Sequence, residues 1–249
     1  ASFRRTEKTF ELTISPRPVT LSWNDLSFVY DGAEHIPSAT VANLVSGDVC
    51  SVTVTGAQVN AGVYTAAVSA LGNPNYTLDE GVNVSETFVI EAAEIYPVLK
   101  YTTVRYGDNL TLEVEGNVGN GEVTFVILEN PENAIISGNI LIPQKVGTVK
   151  VRVSVAETVN TKAAEFEAVI TIEKGVLALE FRDLSAVYGS AFDLDVAGNL
   201  ENAEVQYTVV NGTGQAVHVD GNRYLAKKAG TVQITAKIAA SEYYEEATV

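Results

Sequence analysis

The sequence predicts an all-β fold: three tandem Ig-like β-sandwich domains in an elongated rod. Three observations predict it: a repeat of about 80 residues, two-residue alternation of apolar and polar side chains, and turn dipeptides between the alternating runs. The repeat shows at three landmarks. A Tyr-Gly turn recurs at Tyr30-Asp31-Gly32, Tyr106-Gly107 and Tyr188-Gly189, with tyrosines 76 and 82 residues apart. A small-residue turn recurs at Ala61-Gly62, Val146-Gly147 and Ala229-Gly230, with glycines 85 and 83 residues apart. A closing strand recurs at Phe10–Ile14, Phe88–Ile90 and Val169–Ile172, its last isoleucines again 76 and 82 apart.

Each unit reads as strands. After the second small-residue turn, Val149, Val151, Val153 and Val155 alternate with Lys150, Arg152 and Ser154. After the third, Val232, Ile234, Ala236 and Ile238 alternate with Gln233, Thr235 and Lys237. Period two with one apolar face is the pattern of a half-buried antiparallel strand. Asn120-Gly121, Gly138-Asn139, Asn211-Gly212 and Asp220-Gly221 supply residues that tolerate positive φ in tight turns. Short strands and frequent turns in a unit of this size point to an Ig-like sandwich.

The landmarks divide the chain. Residues 1–17 are the closing strand of a preceding repeat, ending at Pro16-Arg17-Pro18, which reads as a strand exit. Repeat one covers 18–93, repeat two 94–174, and repeat three 175–249, which stops before its final strand. The connections are a few residues long, without Gly/Ser-rich or Pro-rich extensions, as a semi-rigid rod requires.

Composition narrows the function. Acidic residues number 31 against 16 basic ones, a net charge of −15, which disfavours nucleic acid as a partner. The single cysteine, Cys50, permits no intrachain disulfide and reads as a core-facing thiol in an alternating run. No run reaches the roughly 18 apolar residues needed to span a bilayer, so no membrane insertion is expected in this segment. No methionine occurs, and neither a signal peptide nor a sorting tail is visible, so the sequence reads as an internal segment of a larger protein.

The first unit carries Ser27–Val41 (SFVYDGAEHIPSATV), Ser46–Ala66 (SGDVCSVTVTGAQVNAGVYTA) and Asn73–Leu78 (NPNYTL). In these it resembles the bacterial cell-surface tandem repeats of the YDG/MBG type. Tyr106–Gly116, Lys145–Glu157 and Lys227–Tyr244 look like related Ig-like repeats, the third departing where Glu242-Tyr243-Tyr244 replaces the Asn-Tyr pair. The resemblance implies secretion, an extracellular location on the bacterial cell surface or cell wall, and a role as spacer, stalk or adhesin. It carries over no catalytic, cofactor-binding or metal-binding residue, and no enzyme activity or cofactor is expected.

Candidate chemistry is sparse. His35 and His218 lie in different units, no Gly-x-Ser-x-Gly elbow is present, and two histidines with one cysteine give no zinc-ligand spacing. Both histidines read as exposed strand-edge or turn residues. Asp193 and Asp195 share a strand face, as a paired-acid site or a solvated face would. Glu91, Glu94 and Glu173 fall near the junctions, where calcium could stiffen the chain or solvent could hold them. Trp23 with Tyr30 or Tyr76 could form a sugar platform, against the alternative of buried packing. Four Asn-x-Ser/Thr matches, at Asn75, Asn83, Asn109 and Asn211, read as accidental in a bacterial protein.

The leading expectation is a non-catalytic structural spacer or adhesin. The alternative is a carbohydrate-binding or accessory module of a large secreted glycosidase. A host glycan or protein is the expected ligand class. A further partner is the chain itself: the tail strand Thr9–Ile14 matches the strand that repeat three lacks, which predicts head-to-tail self-association.

Overall fold

The computed structural model describes residues 3–5, 7–182 and 184–249. Every regular element among them is a β-strand. The chain forms two compact units, one of Ala1–Tyr96, Asn117–Glu122 and Ala156–Ala164, the other of Pro97–Gly116, Val123–Val155 and Glu165–Val249.

The first unit contains a four-stranded sheet ordered Ser27–Val29, Ser85–Glu91, Gly62–Leu71, Val52–Thr55, in which Ser27–Val29 runs parallel to Ser85–Glu91. A second sheet places Arg17–Asn24 between Ser38–Ala42 and Tyr76–Leu78. Alternation along Ser85–Glu91 turns Phe88 and Ile90 inward against Ala61 and Ala66, with Trp23, Tyr30 and Tyr64 packed around them. A second cluster joins Val19, Cys50 and Tyr76.

The prolines correct one boundary: Pro18 lies inside the strand Arg17–Asn24 and does not mark an exit. Arg17 N–H donates to Asn75 O at 2.8 Å, while antiparallel pairing on the other side begins only at Thr20. The missing N–H of Pro18 therefore falls where no ladder needs it. Thr9–Ile14 belongs to no strand, and Phe10, Leu12 and Ile14 are each 84% exposed.

The second unit uses one strand plan twice. In its first copy, Gly147–Val155 lies between Val123–Glu129 and Ala164–Glu173, and Thr103–Arg105 pairs in parallel with the outer edge of Ala164–Glu173. The companion sheet is Leu110–Thr111, Ile140–Pro143, Ala134–Ser137. Val149, Val151 and Val153 meet Leu110, Leu141, Ile170 and Ile172 in the core. Complete burial of such a side chain contributes about 1.5–3 kcal/mol. The polar face of the same strand carries ion pairs, Lys150 with Glu167 at 2.7 Å and Arg152 with Glu165 at 3.2 Å.

The second copy orders Val205–Asn211, Val232–Ile238, Ala247–Thr248, with Ala191–Asp193, Arg223–Lys228, Gln215–Asp220 as companion sheet. Its closing strand is the two-residue Ala247–Thr248, paired with Ile238 and Lys237.

The small-residue turns feed these central strands through unusual backbone. Gly147 has φ +144° and Gly230 φ +140°. Asn120, Gly138 and Gly221 take positive φ at their turns, as their dipeptides predict. Asn211-Gly212 differs: neither residue is in the left-handed region, and a Cβ on Gly212 would meet Thr231 O at 2.8 Å. Glycine is needed there for close approach rather than for φ.

Candidate functional site

The residues that sequence reasoning singled out are held by local structure. His35 stacks on Phe28, with centroids 4.6 Å apart, and its Nε2 lies 2.9 Å from Asp31 Oδ1. This histidine is largely covered rather than exposed, since its imidazole lies flat against the core phenyl ring. The Ala33 N–H, followed by His35, holds the Asp31 carboxyl below its ordinary range. His218 is exposed, with Nε2 2.9 Å from Gly221 O.

Asp193 ends the strand Ala191–Asp193 and Asp195 lies in the break before Val196–Ala197, so they do not share one strand face, although both are exposed on either side of the fully buried Leu194. Asp193 is paired with Arg223 at 3.6 Å. Glu94 is taken by Lys162 at 2.7 Å, and Glu173 lies 4.0 Å from Arg105. Among the described residues no three His, Cys, Asp or Glu side chains converge as metal ligands would.

Trp23 packs on the Phe88 core and its Nε1–H donates to Asn83 O at 3.2 Å. Tyr76 is buried; its hydroxyl donates to Asp48 at 2.6 Å and accepts from Val45 N–H at 3.0 Å. These aromatics are packing residues, not an exposed platform.

Sequence reasoning missed two features. The first is a clasp that occurs three times. Arg17 pairs in parallel with Tyr76, Ala93 with Thr161, and Gly175 with Tyr244. In each, the first residue's N–H donates to the carbonyl just before the second: Arg17 to Asn75 at 2.8 Å, Ala93 to Asn160 at 2.9 Å, Gly175 to Tyr243 at 2.8 Å. A polar side chain shapes each receiving turn. Asn73 Oδ1 accepts from Asn75 N–H, Thr158 Oγ1 from Asn160 and Thr161, and Ser241 Oγ from Tyr243 and Tyr244. Asn160 adds a second layer, its Oδ1 accepting from Ala61 N–H at 2.8 Å and its amide donating to Asn60 at 3.0 Å. At the third clasp Tyr106 stacks on Tyr243, with centroids 4.7 Å apart, and Lys174 Nζ donates to Ser241 O at 2.6 Å.

The second feature is a cleft of about 560 Å³ in the second copy of the repeated plan, lined by Phe181, Leu184, Ala216, Gly230, Val232 and Ile234 among others. Burial falls along its floor. Ala236 and Ile238, next to the short closing strand, are buried, whereas Val232 and Ile234 are only half-buried. In the first copy Val149, Val151, Val153 and Val155 are all buried.

The chain matches no family model and no curated protein. Among the described residues no helix is long and apolar enough to cross a membrane.

Proposed function

We propose that this chain is a non-catalytic spacer: three tandem Ig-like repeats of a bacterial surface protein that hold other parts of that protein away from the cell wall. The observation that carries this reading is the recurrence of the clasp at Ala93 and Gly175. In the three-repeat scheme these are the linker residues, and a spacer works only if its linkers resist bending. A linker whose N–H and C=O groups are hydrogen-bonded has lost the freedom that makes a flexible tether. Lys162 N–H returns a bond to Ala93 O at 2.9 Å and Glu245 N–H to Gly175 O at 2.9 Å, so each clasp is closed from both sides.

The ionisable candidates also support a structural role, because Asp31, Asp193 and Glu94 each face a partner within ion-pairing distance rather than one another. The enclosed Trp23 and Tyr76 weigh against a sugar-binding platform built on them.

Amide hydrogen exchange tests the reading. The Ala93 and Gly175 N–H groups should exchange as slowly as those of the strands beside them. Exchange at the rate of an open chain would mean free hinges, and the spacer mechanism would fail.

A further inference from the structure

We propose that the first two repeats bear tension: in each, the strand that enters and the strand that leaves are clamped side by side in parallel, so a pull along the chain is met by the whole clamp at once. The proposal goes beyond the spacer reading, which needs linkers that resist bending and says nothing of stretching.

The clamp is built the same way twice. In the first repeat Ser27, Phe28 and Val29 lie opposite Val89, Ile90 and Glu91. In the second, Thr103, Val104 and Arg105 lie opposite Thr171, Ile172 and Glu173. The bonds that close the ends correspond one for one. Val89 N–H donates to Leu26 O at 3.0 Å, and Thr171 N–H to Thr102 O at 2.8 Å. At the far end Tyr30 N–H donates to Glu91 O at 2.9 Å, and Tyr106 N–H to Glu173 O at 2.8 Å. The recurring Tyr-Gly turn thus marks the point where the entering strand leaves the clamp.

Direction decides what such a pair does under load. Chain on the N-terminal side pulls Ser27 or Thr103 backwards along its strand. Chain on the C-terminal side pulls Glu91 or Glu173 forwards along the neighbouring strand. Because the two strands are parallel, the pulls oppose each other along a shared axis and drive the strands to slide. Bonds in a parallel pair are evenly spaced, so sliding stretches them together. Neighbouring ends of an antiparallel pair, drawn apart, open one bond at a time instead.

The entering chain is held once more upstream. Arg17–Val19 lies parallel to Tyr76–Leu78, and Ala93 to Thr161, which stands just before the leaving strand Ala164–Glu173. Tension therefore meets the clasp first and the clamp second. The hand-over between repeats is short: only Ala92 separates Glu91 from Ala93, and only Lys174 separates Glu173 from Gly175. Side chains shelter the ladders. Ile90 and Ile172 are each 1% exposed, Val104 is buried, and Phe28 is covered by the stacked His35. Hydrogen bonds kept from water are electrostatically stronger. Across the outer side of the second clamp Arg105 reaches Glu173 at 4.0 Å and donates to Lys174 O at 3.4 Å.

Pulling one repeat in two directions tests this, using the 249-residue chain in an optical trap. Cys50→Ala in both samples removes the native thiol from competition for the handles. Tyr96→Cys/Val176→Cys, at residues 85% and 62% exposed, sets the handles before Thr103 and after Glu173 and loads the second clamp in shear. Glu122→Cys/Glu157→Cys, at two exposed residues, sets them beside Val123 and Val155, which lie opposite each other in an antiparallel pair. That pull peels the edge strand Val123–Glu129. At one constant tension the shear-loaded repeat should stay closed on the order of tenfold longer, since forced opening follows the unfolding rate. Its opening should release residues 102–173 in one step of roughly 250 Å. Slow amide exchange at Ala93 and Gly175 would stand whatever the lifetimes, so failure of the clamp is separable from failure of the spacer reading. Equal lifetimes in the two directions, a shorter one in shear, or gradual lengthening without the step would each overturn the proposal.

Discussion

Glycine and tyrosine carry most of the single-residue constraints. A Cβ at Gly230 would run into the backbone of Thr213 and Gly214, and its φ of +140° is one that β-branched residues adopt at high cost. Gly230→Val should destabilise the third repeat by about 2 kcal/mol or more, lowering its melting temperature by on the order of 10 °C. Gly32→Ala is the control: φ is +84° but the space around it is open, so the loss should be about 1 kcal/mol. Calorimetry on both variants checks the order. Equal melting of Gly230→Val and the parent would remove the close-packing argument.

Tyr76 gives a pH signature. Its hydrogen bond to Asp48, then its burial, raises the hydroxyl above the ordinary tyrosine value of 10.0. Between the unfolded and folded values the native state keeps a proton that the unfolded chain has lost. Its stabilisation is thus complete below pH 10.0 and is lost as pH rises through the folded value. Tyr76→Phe should therefore show a shallower fall in melting temperature above that pH. Identical alkaline profiles would contradict the assignment. The sequence offered Tyr76 only as a candidate for a sugar platform beside Trp23; its partner Asp48 is 28 residues away and nothing local points to it.

At the scale of elements, alternation was the readable signal. Val149 to Val155 and the flanking Lys150 and Arg152 divide between core and solvent as period two requires. Two of the three closing strands, Ser85–Glu91 and Ala164–Glu173, also follow from their isoleucines, whereas Phe10–Ile14 lies in no strand. The clasps were not readable, because they are parallel pairings of only one to three residues between segments 59 to 69 positions apart. Only the repetition of Asn73, Thr158 and Ser241 at the landmark spacing offered a hint. The strand starting at Arg17 was hidden by its prolines, whose exclusion from ladders holds only where an N–H is needed. Asn160 is the side chain that ties its clasp most widely. Asn160→Ala leaves the Ala61 N–H without its acceptor, costing about 1–3 kcal/mol. Amide exchange at Ala61 and Ala93 should accelerate in that variant while Gly175 is unchanged; uniform exchange across all three would deny the clasp its role.

At the scale of the whole molecule, the all-β class was readable in the sequence. The cleft in residues 181–234 was not legible, because it is a shape made by segments distant in sequence. The spacer proposal rests on three repeats joined end to end with stiff linkers. Strands of about eight residues rising about 3.4 Å each give roughly 30 Å per repeat, and on the order of 100 Å for three. Small-angle scattering from the 249-residue chain at high dilution measures this directly. The account predicts a maximum dimension on the order of 100 Å and a radius of gyration of about 30 Å, that of a thin rod of this length. A radius of gyration of about 18 Å, expected of a compact 249-residue globule, would contradict it.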